Sequence, residues 1–456
     1  MRAPDGSSRE TSPGSAGEVT IIGAGLAGSL LAIYMARRGY QVEVFERRPD
    51  LRRGDVPAGR SINLALANRG ISALDEIGLM GKVKPLLIAM AGRMLHDESS
   101  ALHFLPYGNK PDEVIYSVSR GGLNGLLLDA AESTGRVTIQ FGRSCRAVDL
   151  DRSVLEMADE AELIPFRLLF GADGSASAVR EAIIRAASGN LTDEPLGHSY
   201  KELSIPPADG GGFRMHKEAL HIWPRGEYML IALPNIDGSF TVTLFLPNEG
   251  KESFEGLSSA EAVRDLFARR FPDAIPLMPT LEQDFFSNPT GHLETVRCFP
   301  WHYRDRALIL GDAAHAIVPF HGQGMNAAFE DCSALNACFA DVSTGIEEVF
   351  RRFEDERKPN AEAIADMALE NYIEMRSTVL DAKFALKKSL AFELEERFPL
   401  RFIPRYSMVM FHRISYAEAK RRGALQDALL DELTRDADSI EAIDMKVADE
   451  LVRRRL

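Results

Sequence analysis

The segment that most restricts this chain is Gly23-Ala24-Gly25-Leu26-Ala27-Gly28, set between a short apolar run and a helical pattern. Glu18 to Ile22 reads as a buried strand. Leu26, Leu30, Leu31, Tyr34 and Met35 then recur at helical spacing up to Gly39, and Val42 to Phe45 gives a second strand ending at Glu46. Strand, glycine turn, helix and strand in this order specify a βαβ unit, and with it an α/β fold. A bare GxGxxG says little. One that leaves a strand, opens a helix and has an acid about 20 residues on fits a bound dinucleotide. Gly23 permits the tight turn, Gly25 beside Ala24 lets the backbone approach a pyrophosphate, and Gly28 lets the helix pack on the strand. The helix N-terminus presents free N–H groups and partial positive charge to the phosphates. Glu46 is placed to accept from ribose hydroxyls and to repel a 2′-phosphate, which favours FAD or NAD over NADP. A tight turn with no ligand is the competing reading, and the fingerprint alone does not separate FAD from NAD.

With 456 residues the chain exceeds one compact core, so two or three domains are expected. A formal net charge of −14 argues against nucleic acid as a partner and weakly against anionic lipid. Cys145, Cys298, Cys332 and Cys338 have neither zinc-site nor redox CxxC spacing. They read as reduced thiols of a cytoplasmic protein. Residues 1–17, rich in Ser, Gly and Pro, read as a disordered tail rather than a signal peptide. No apolar run approaches the roughly 18 residues of a spanning helix. The end of the chain, Arg453-Arg454-Arg455, offers no membrane anchor.

Two later segments repeat the logic of the first. Leu168 to Gly171 is an apolar run that stops at Ala172-Asp173-Gly174-Ser175, with Arg180 beyond; Ala307 to Leu310 stops at Gly311-Asp312-Ala313-Ala314-His315. Ligands of open α/β sheets bind at carboxyl ends of strands, so three such ends can converge on one extended cofactor. Taken alone, Asp312 also suits a cap at a strand–helix junction. Val318 to Asn326 then leads into another helix, whose N-terminal dipole favours negative charge. His315 and His321 suggest a metal or acid–base role, but with no acidic or cysteine partners expected nearby, no metal is expected.

In order and separation, these three segments resemble the flavoprotein aromatic hydroxylases. The resemblance implies FAD as cofactor and NADPH as co-substrate. It assigns Asp312 to the ribityl and pyrophosphate part of FAD, and Asp173 and Gly174 to a motif associated with FAD and NADPH. Arg120 becomes a flavin contact, although Gly121-Gly122 replaces the charged residue that often follows it. Arg47, Gly324, Met325 and Asn326 join the cofactor set. Within the family, six blocks resemble the kynurenine-hydroxylating branch: Arg60 to Leu66, His221 to Pro224, Phe240 to Leu246, Pro319 to Asn326, Met367 to Tyr372 and Arg401 to Met408. The last is not shared by aromatic hydroxylases in general.

That branch implies L-kynurenine as substrate and 3-hydroxykynurenine as product, by way of a flavin hydroperoxide. It places Arg93, Tyr107 and Tyr406 on the substrate carboxylate and Asn371 on substrate. Arginine suits this task because its planar fork grips a carboxylate through two parallel bonds. Pro319 and Phe320 complete the pocket. Read without the resemblance, Tyr228 to Leu233 and Phe240 to Leu246 form a hairpin through Asp237-Gly238. Met229, Ile231 and Leu233 share one face, with Thr243 and Phe245 on the partner strand. Ordinary sheet packing explains these residues better than a ligand does. On a helix after Pro359, Asn371 joins the stripe Ile364, Met367, Ala368 and Met375, and bonds either a ligand or another helix.

The expected layout is interrupted: a Rossmann-like FAD domain over 18–80, 110–185 and 296–345, a β-sheet substrate domain over 81–109 and 186–295, and a helical C-terminal region over 346–456. The flavin carries the chemistry, so no protein nucleophile is assigned. An FAD oxidase, a hydroxylase of another anionic aromatic, and a non-catalytic flavoprotein scaffold stand as alternatives.

Overall fold

A computed structural model describes residues 17–54, 63–158, 160–161 and 163–456. The tail expected over 1–17 and the first residues of the Arg60 block lie outside these, apart from Gly17.

The first strand, Glu18–Ile22, is central in a six-stranded sheet. Leu169–Gly171 and Gln41–Glu46 flank it in parallel. Val137–Phe141 extends one side, and Ala307–Ile309 followed by the antiparallel His302–Tyr303 extends the other. Ile21, Val44, Leu169, Phe170, Leu308 and Ile309 are fully buried. Such unbroken apolar runs are what a parallel sheet covered on both faces requires. The register aligns Ile22, Gly171 and Ile309 in one row. The three motifs distant in sequence therefore emerge side by side. Gly23 begins the first turn at φ +99°, and a Cβ on Gly28 would lie 1.9 Å from the Gly23 carbonyl oxygen. A methyl group there would force the helix Leu26–Arg37 off the strand.

A seven-stranded sheet runs Thr290–Phe299, Asn190–Ile205, Phe240–Pro247, Met229–Pro234, Ala219–Pro224, Gly92–His96, Leu102–Pro106. The expected hairpin forms its centre, with Ile231 opposite Thr243 and Gly238 at φ +88° in the turn. Alternation divides the strand. Leu230 and Ala232 pack with Trp223, Phe267 and Phe271 against the helices Ala260–Arg270 and Leu281–Ser287, while Ile231 and Leu233 face the other way. Segment 81–109 is shared between sheets. Leu87–Met90 pairs with Ile115–Ser119 beside Asn63–Leu66, and the rest of its strands join the larger sheet.

The C-terminal region is helical: Ile346–Arg376, Ala382–Arg397, Arg405–Met410, Tyr416–Thr434 and Met445–Arg455. The sequence places a helix start after Pro359, yet the first helix runs 31 residues straight through it. An interior proline costs about 3 kcal/mol. Val349, Phe350 and Phe353 before it and Ala361 and Ile364 after it are all buried, and packing on both sides outweighs that cost.

Candidate active site

One cavity of about 730 Å³ lies between the two large sheets and the C-terminal helices. Its cofactor half is the row of strand ends. Gly23, Gly25, Glu46, Arg47, Arg120, Asp173, Gly174, Asp312, Gly324 and Met325 all line it. A Cβ built on Gly25 meets no protein atom within 4 Å, so the glycine opens the wall to a ligand rather than relieving a protein contact.

Three expected cofactor residues stand behind the wall. Ala24 donates its N–H to Glu46 Oε2 at 2.8 Å, and Gly28 is taken up by helix packing. Asn326, fully buried, accepts from Ala67 N–H at 2.9 Å and donates to the Ala65 and Gly322 carbonyls at 2.8 and 2.9 Å. Its amide is consumed in fixing the loop that carries Gly322 and Gly324.

Glu46 also accepts from Arg48 N–H and Nε, at 3.0 and 2.9 Å. Burial opposes its charge, but the Arg48 hydrogen bond and positive charge overcome this and hold the carboxyl below its ordinary range. Asp173 accepts from the Ser177 hydroxyl at 2.5 Å and the Ala178 N–H at 2.9 Å, at the start of the helix Ala178–Ala187. Burial pushes its pKa up. Arg180 donates to the Ala313 carbonyl at 3.0 Å and ties this segment to the Gly311 turn.

Asp312 departs from the sequence reading in one respect. It opens the short helix Asp312–His315, but Gly311 holds the cap position and no side chain caps it. The Asp312 carboxylate is exposed and, among the described residues, has no protein partner. A helix N-terminus, an open glycine wall and an unengaged carboxylate suit an elongated dinucleotide with phosphates and hydroxyls. These residues fit FAD.

The substrate half is built around Arg93, which is 4% exposed. Its guanidinium carbon lies 5.8 Å from the Tyr107 ring centroid and 5.4 Å from that of Tyr406, and these two rings stack 5.2 Å apart. Arg93 is not a bare clamp. Nη1 pairs with Glu374 Oε1 at 2.6 Å, and Nη2 reaches Asn371 Oδ1 at 3.3 Å. Arg93 Nε and the Tyr107 hydroxyl remain buried without a hydrogen-bond partner. Orphaned buried donors are costly, and an incoming anion would satisfy them. Asn371 donates to the Phe320 carbonyl at 2.6 Å, so it bridges helix and loop as well as lining the cavity.

Ile231, Leu233, Thr243, Phe245, Pro319, Phe320 and Met375 also line this half. Met229 does not reach it. Opposite Phe245 in the hairpin, it is fully buried beneath Phe245 and Phe320. Packing among Leu95, Ile222, Phe245 and Phe320 takes up its side chain instead. Glu374 is absent from the residues the sequence singles out, and His321 enters there only as a metal or acid–base candidate, not as part of the substrate pocket. His321 Nδ1 is buried and unpartnered, and its ring stacks on Tyr406 at 5.6 Å. Burial first, then the Arg405 and Arg93 charges, lower its pKa to about 4 and keep it neutral. An unpaired histidine in a Pro-Phe-His-Gly turn was the available signal. Glu374 had none, because its partner lies 281 residues away.

His315 does have an acidic partner, contrary to expectation: Asp331 Oδ2 lies 2.6 Å from its Nε2. Among the described residues no group of three or more His, Cys, Asp or Glu is placed to hold a metal, and no helix is long and apolar enough to cross a membrane.

The FAD binding domain family matches residues 16–368. A kynurenine 3-monooxygenase of Myxococcus xanthus is 49% identical over 442 residues, covering 96% of this chain and 95% of the relative. One from Stenotrophomonas maltophilia is 49% identical over 430 residues, covering 93% and 94%. Among solved structures, 2-methyl-3-hydroxypyridine-5-carboxylic acid oxygenase superposes with a TM-score of 0.65 at 17% identity, over 79% of this chain and 92% of that one. PqsL of Pseudomonas aeruginosa, described as a probable FAD-dependent monooxygenase, gives 0.62 at 20% identity, over 79% and 96%. These structures share the fold. Full-length identity near one half, together with the FAD-binding match, is decisive: the chain belongs to the kynurenine 3-monooxygenase family of FAD-binding aromatic monooxygenases.

Proposed function

We propose that the protein hydroxylates L-kynurenine to 3-hydroxykynurenine, consuming NADPH and O₂ and releasing NADP⁺ and water. The observation that carries this reading is a single cavity joining the dinucleotide wall to a buried arginine whose Nε is unsatisfied, beside the unpartnered Tyr107 hydroxyl. FAD, when bound, supplies the electron transfer and oxygen activation. The chain's own residues bind, orient and exclude water.

Asp312 and the N–H groups at the start of the helix Leu26–Arg37 would hold the cofactor. Arg93 and the Tyr107 and Tyr406 hydroxyls would take the substrate carboxylate. Ile231, Leu233, Phe245 and Phe320 would confine the aromatic ring, with Thr243 as the polar point on that surface. Fixing the ring against the cofactor is worth several orders of magnitude in rate. The apolar wall also keeps water from reactive oxygen species. Four free cysteines accord with a cytoplasmic setting.

The test is NADPH oxidation by the FAD-loaded protein with and without L-kynurenine, with the product identified by mass. Strong stimulation with a product one oxygen heavier supports the reading. Stimulation yielding only H₂O₂ makes kynurenine an effector and another anionic aromatic the substrate. No stimulation rejects the assignment.

A further inference from the structure

Asp331 is 0% exposed on the helix Gly324–Cys338, and it does not line the cavity. A carboxylate so placed costs several kcal/mol unless its charge is matched and its lone pairs are filled. Both conditions are met, and the two oxygens do different things. Oδ1 accepts from Arg357 Nε at 2.8 Å; Arg357 comes from the long C-terminal helix and pairs at Nη1 with Glu330 at 2.8 Å. Oδ2 accepts from the Gly311 N–H at 3.0 Å and meets His315 Nε2 at 2.6 Å. Gly311 and His315 bracket the helix Asp312–His315, so both of its ends converge on one oxygen.

The turn has little slack. Gly311 sits at φ +58°, and a Cβ there would lie 3.2 Å from Ala328 Cβ and 3.4 Å from Ala27 Cβ. The helices Leu26–Arg37 and Gly324–Cys338 crowd it from both sides, while Asp331 pins its amide. Between the pinned ends, Asp312 presents its unengaged carboxylate to the cavity.

We propose that Asp331 is a positioning residue for the cofactor: its Oδ2 locks the Gly311–His315 turn so that Asp312 is held in binding geometry. This rests on the reading of Asp312 as an FAD ligand. Burial opposes the Asp331 charge, but the His315 and Arg357 charges overcome it and keep the carboxyl well below its ordinary range. Asp331 thus stays an acceptor for both donors.

Asp331→Asn breaks the double acceptance: its single amide oxygen cannot serve both Arg357 and the Gly311 N–H, its NH₂ group faces one of these donors, and the carboxylate charge that holds the turn is lost either way. Glu330→Gln perturbs the same arginine and leaves the turn untouched. The experiment follows FAD release from each holoenzyme by recovery of flavin fluorescence after dilution, alongside the urea midpoint. Asp331→Asn is expected to release FAD at least about tenfold faster, the equivalent of one charge-assisted hydrogen bond. Glu330→Gln should stay within about twofold even where its urea midpoint falls. If Asp331→Asn does not fold, His315→Phe removes one Oδ2 contact while keeping a ring near Trp301, and it should also speed release. Wild-type release from Asp331→Asn, or from His315→Phe in its place, overturns the proposal; so does Glu330→Gln losing FAD as fast as Asp331→Asn. Asp312→Ala tells the two readings apart. Loss of FAD from Asp312→Ala alone rejects only the positioning role, whereas full retention rejects Asp312 as the ligand.

Discussion

At the residue scale, Arg93 and Glu374 form the contact that most shapes the substrate half. A buried cation needs a counter-charge, and Glu374 supplies it at 2.6 Å while the Arg93 Nε and the Tyr107 hydroxyl wait for acceptors. Removing one partner of a buried pair typically costs about 3 kcal/mol, somewhat less here because the Glu374 side chain is 27% exposed. Glu374→Gln is therefore expected to lose about 2 kcal/mol of stability without ligand. A saturating aromatic carboxylate should restore much of it by supplying the missing negative charge. Thermal unfolding of the variant with and without ligand checks this, and an equal loss in both conditions would rule out competition for Arg93. Arg93 and Tyr406 were legible in the sequence only through resemblance, since a lone arginine and tyrosine carry no signal. Glu374 was not legible, because nothing local links residues 93 and 374.

At the element scale, period-2 alternation explains most of what the large sheet does. Ile231, Leu233 and Thr243 face the cavity because their strand neighbours are spent on the second core. The same alternation misplaces Met229, since facing the correct side does not ensure reaching the site. On the neighbouring strand His221 is 2% exposed, 2.8 Å from His96 Nε2 and 2.8 Å from the His216 carbonyl. Burial lowers its pKa from 6.5 to about 4. Between these values the unfolded chain binds a proton that the folded chain refuses. The stability tied to His221 is thus complete above pH 6.5 and is lost as pH falls toward 4. The full loss is about 3 kcal/mol. Urea midpoints measured across this range should fall more gently in His221→Gln than in the wild type. Parallel curves would show that the histidine does not set the slope.

At the scale of the whole molecule, the long helix Ile346–Arg376 serves both halves of the cavity. It gives Asn371, Glu374 and Met375 to the substrate side and Arg357 to the network behind Asp312. The later helices reach the cofactor side through Tyr416, whose hydroxyl donates to Gln323 Oε1 at 2.7 Å, next to Gly324. Arg69 lies 3.9 Å over the Tyr416 ring and pairs with Glu330. Tyr416→Phe would orphan an acceptor on a residue that is 0% exposed, at a cost of about 1–2 kcal/mol. Because Gln323 precedes the Gly324 wall, FAD affinity should drop along with the urea midpoint. A lower midpoint with unchanged FAD affinity would confine Tyr416 to the fold.

The sequence by itself determined the βαβ start, the three strand ends stopping at glycine and aspartate, the hairpin and the helical end of the chain. These features follow from local rules: apolar period, turn chemistry and the steric freedom of glycine. Resemblance added the cofactor and most of the cavity lining. Only the tertiary structure decided that Ile22, Gly171 and Ile309 stand in one row, that Pro359 lies within a continuous helix, and that Asp312 is left uncapped. It alone brought Glu374 to Arg93 and Asp331 to Gly311. Register and buried ion pairs depend on partners tens to hundreds of residues apart, and no local propensity records which partner the packed chain will meet.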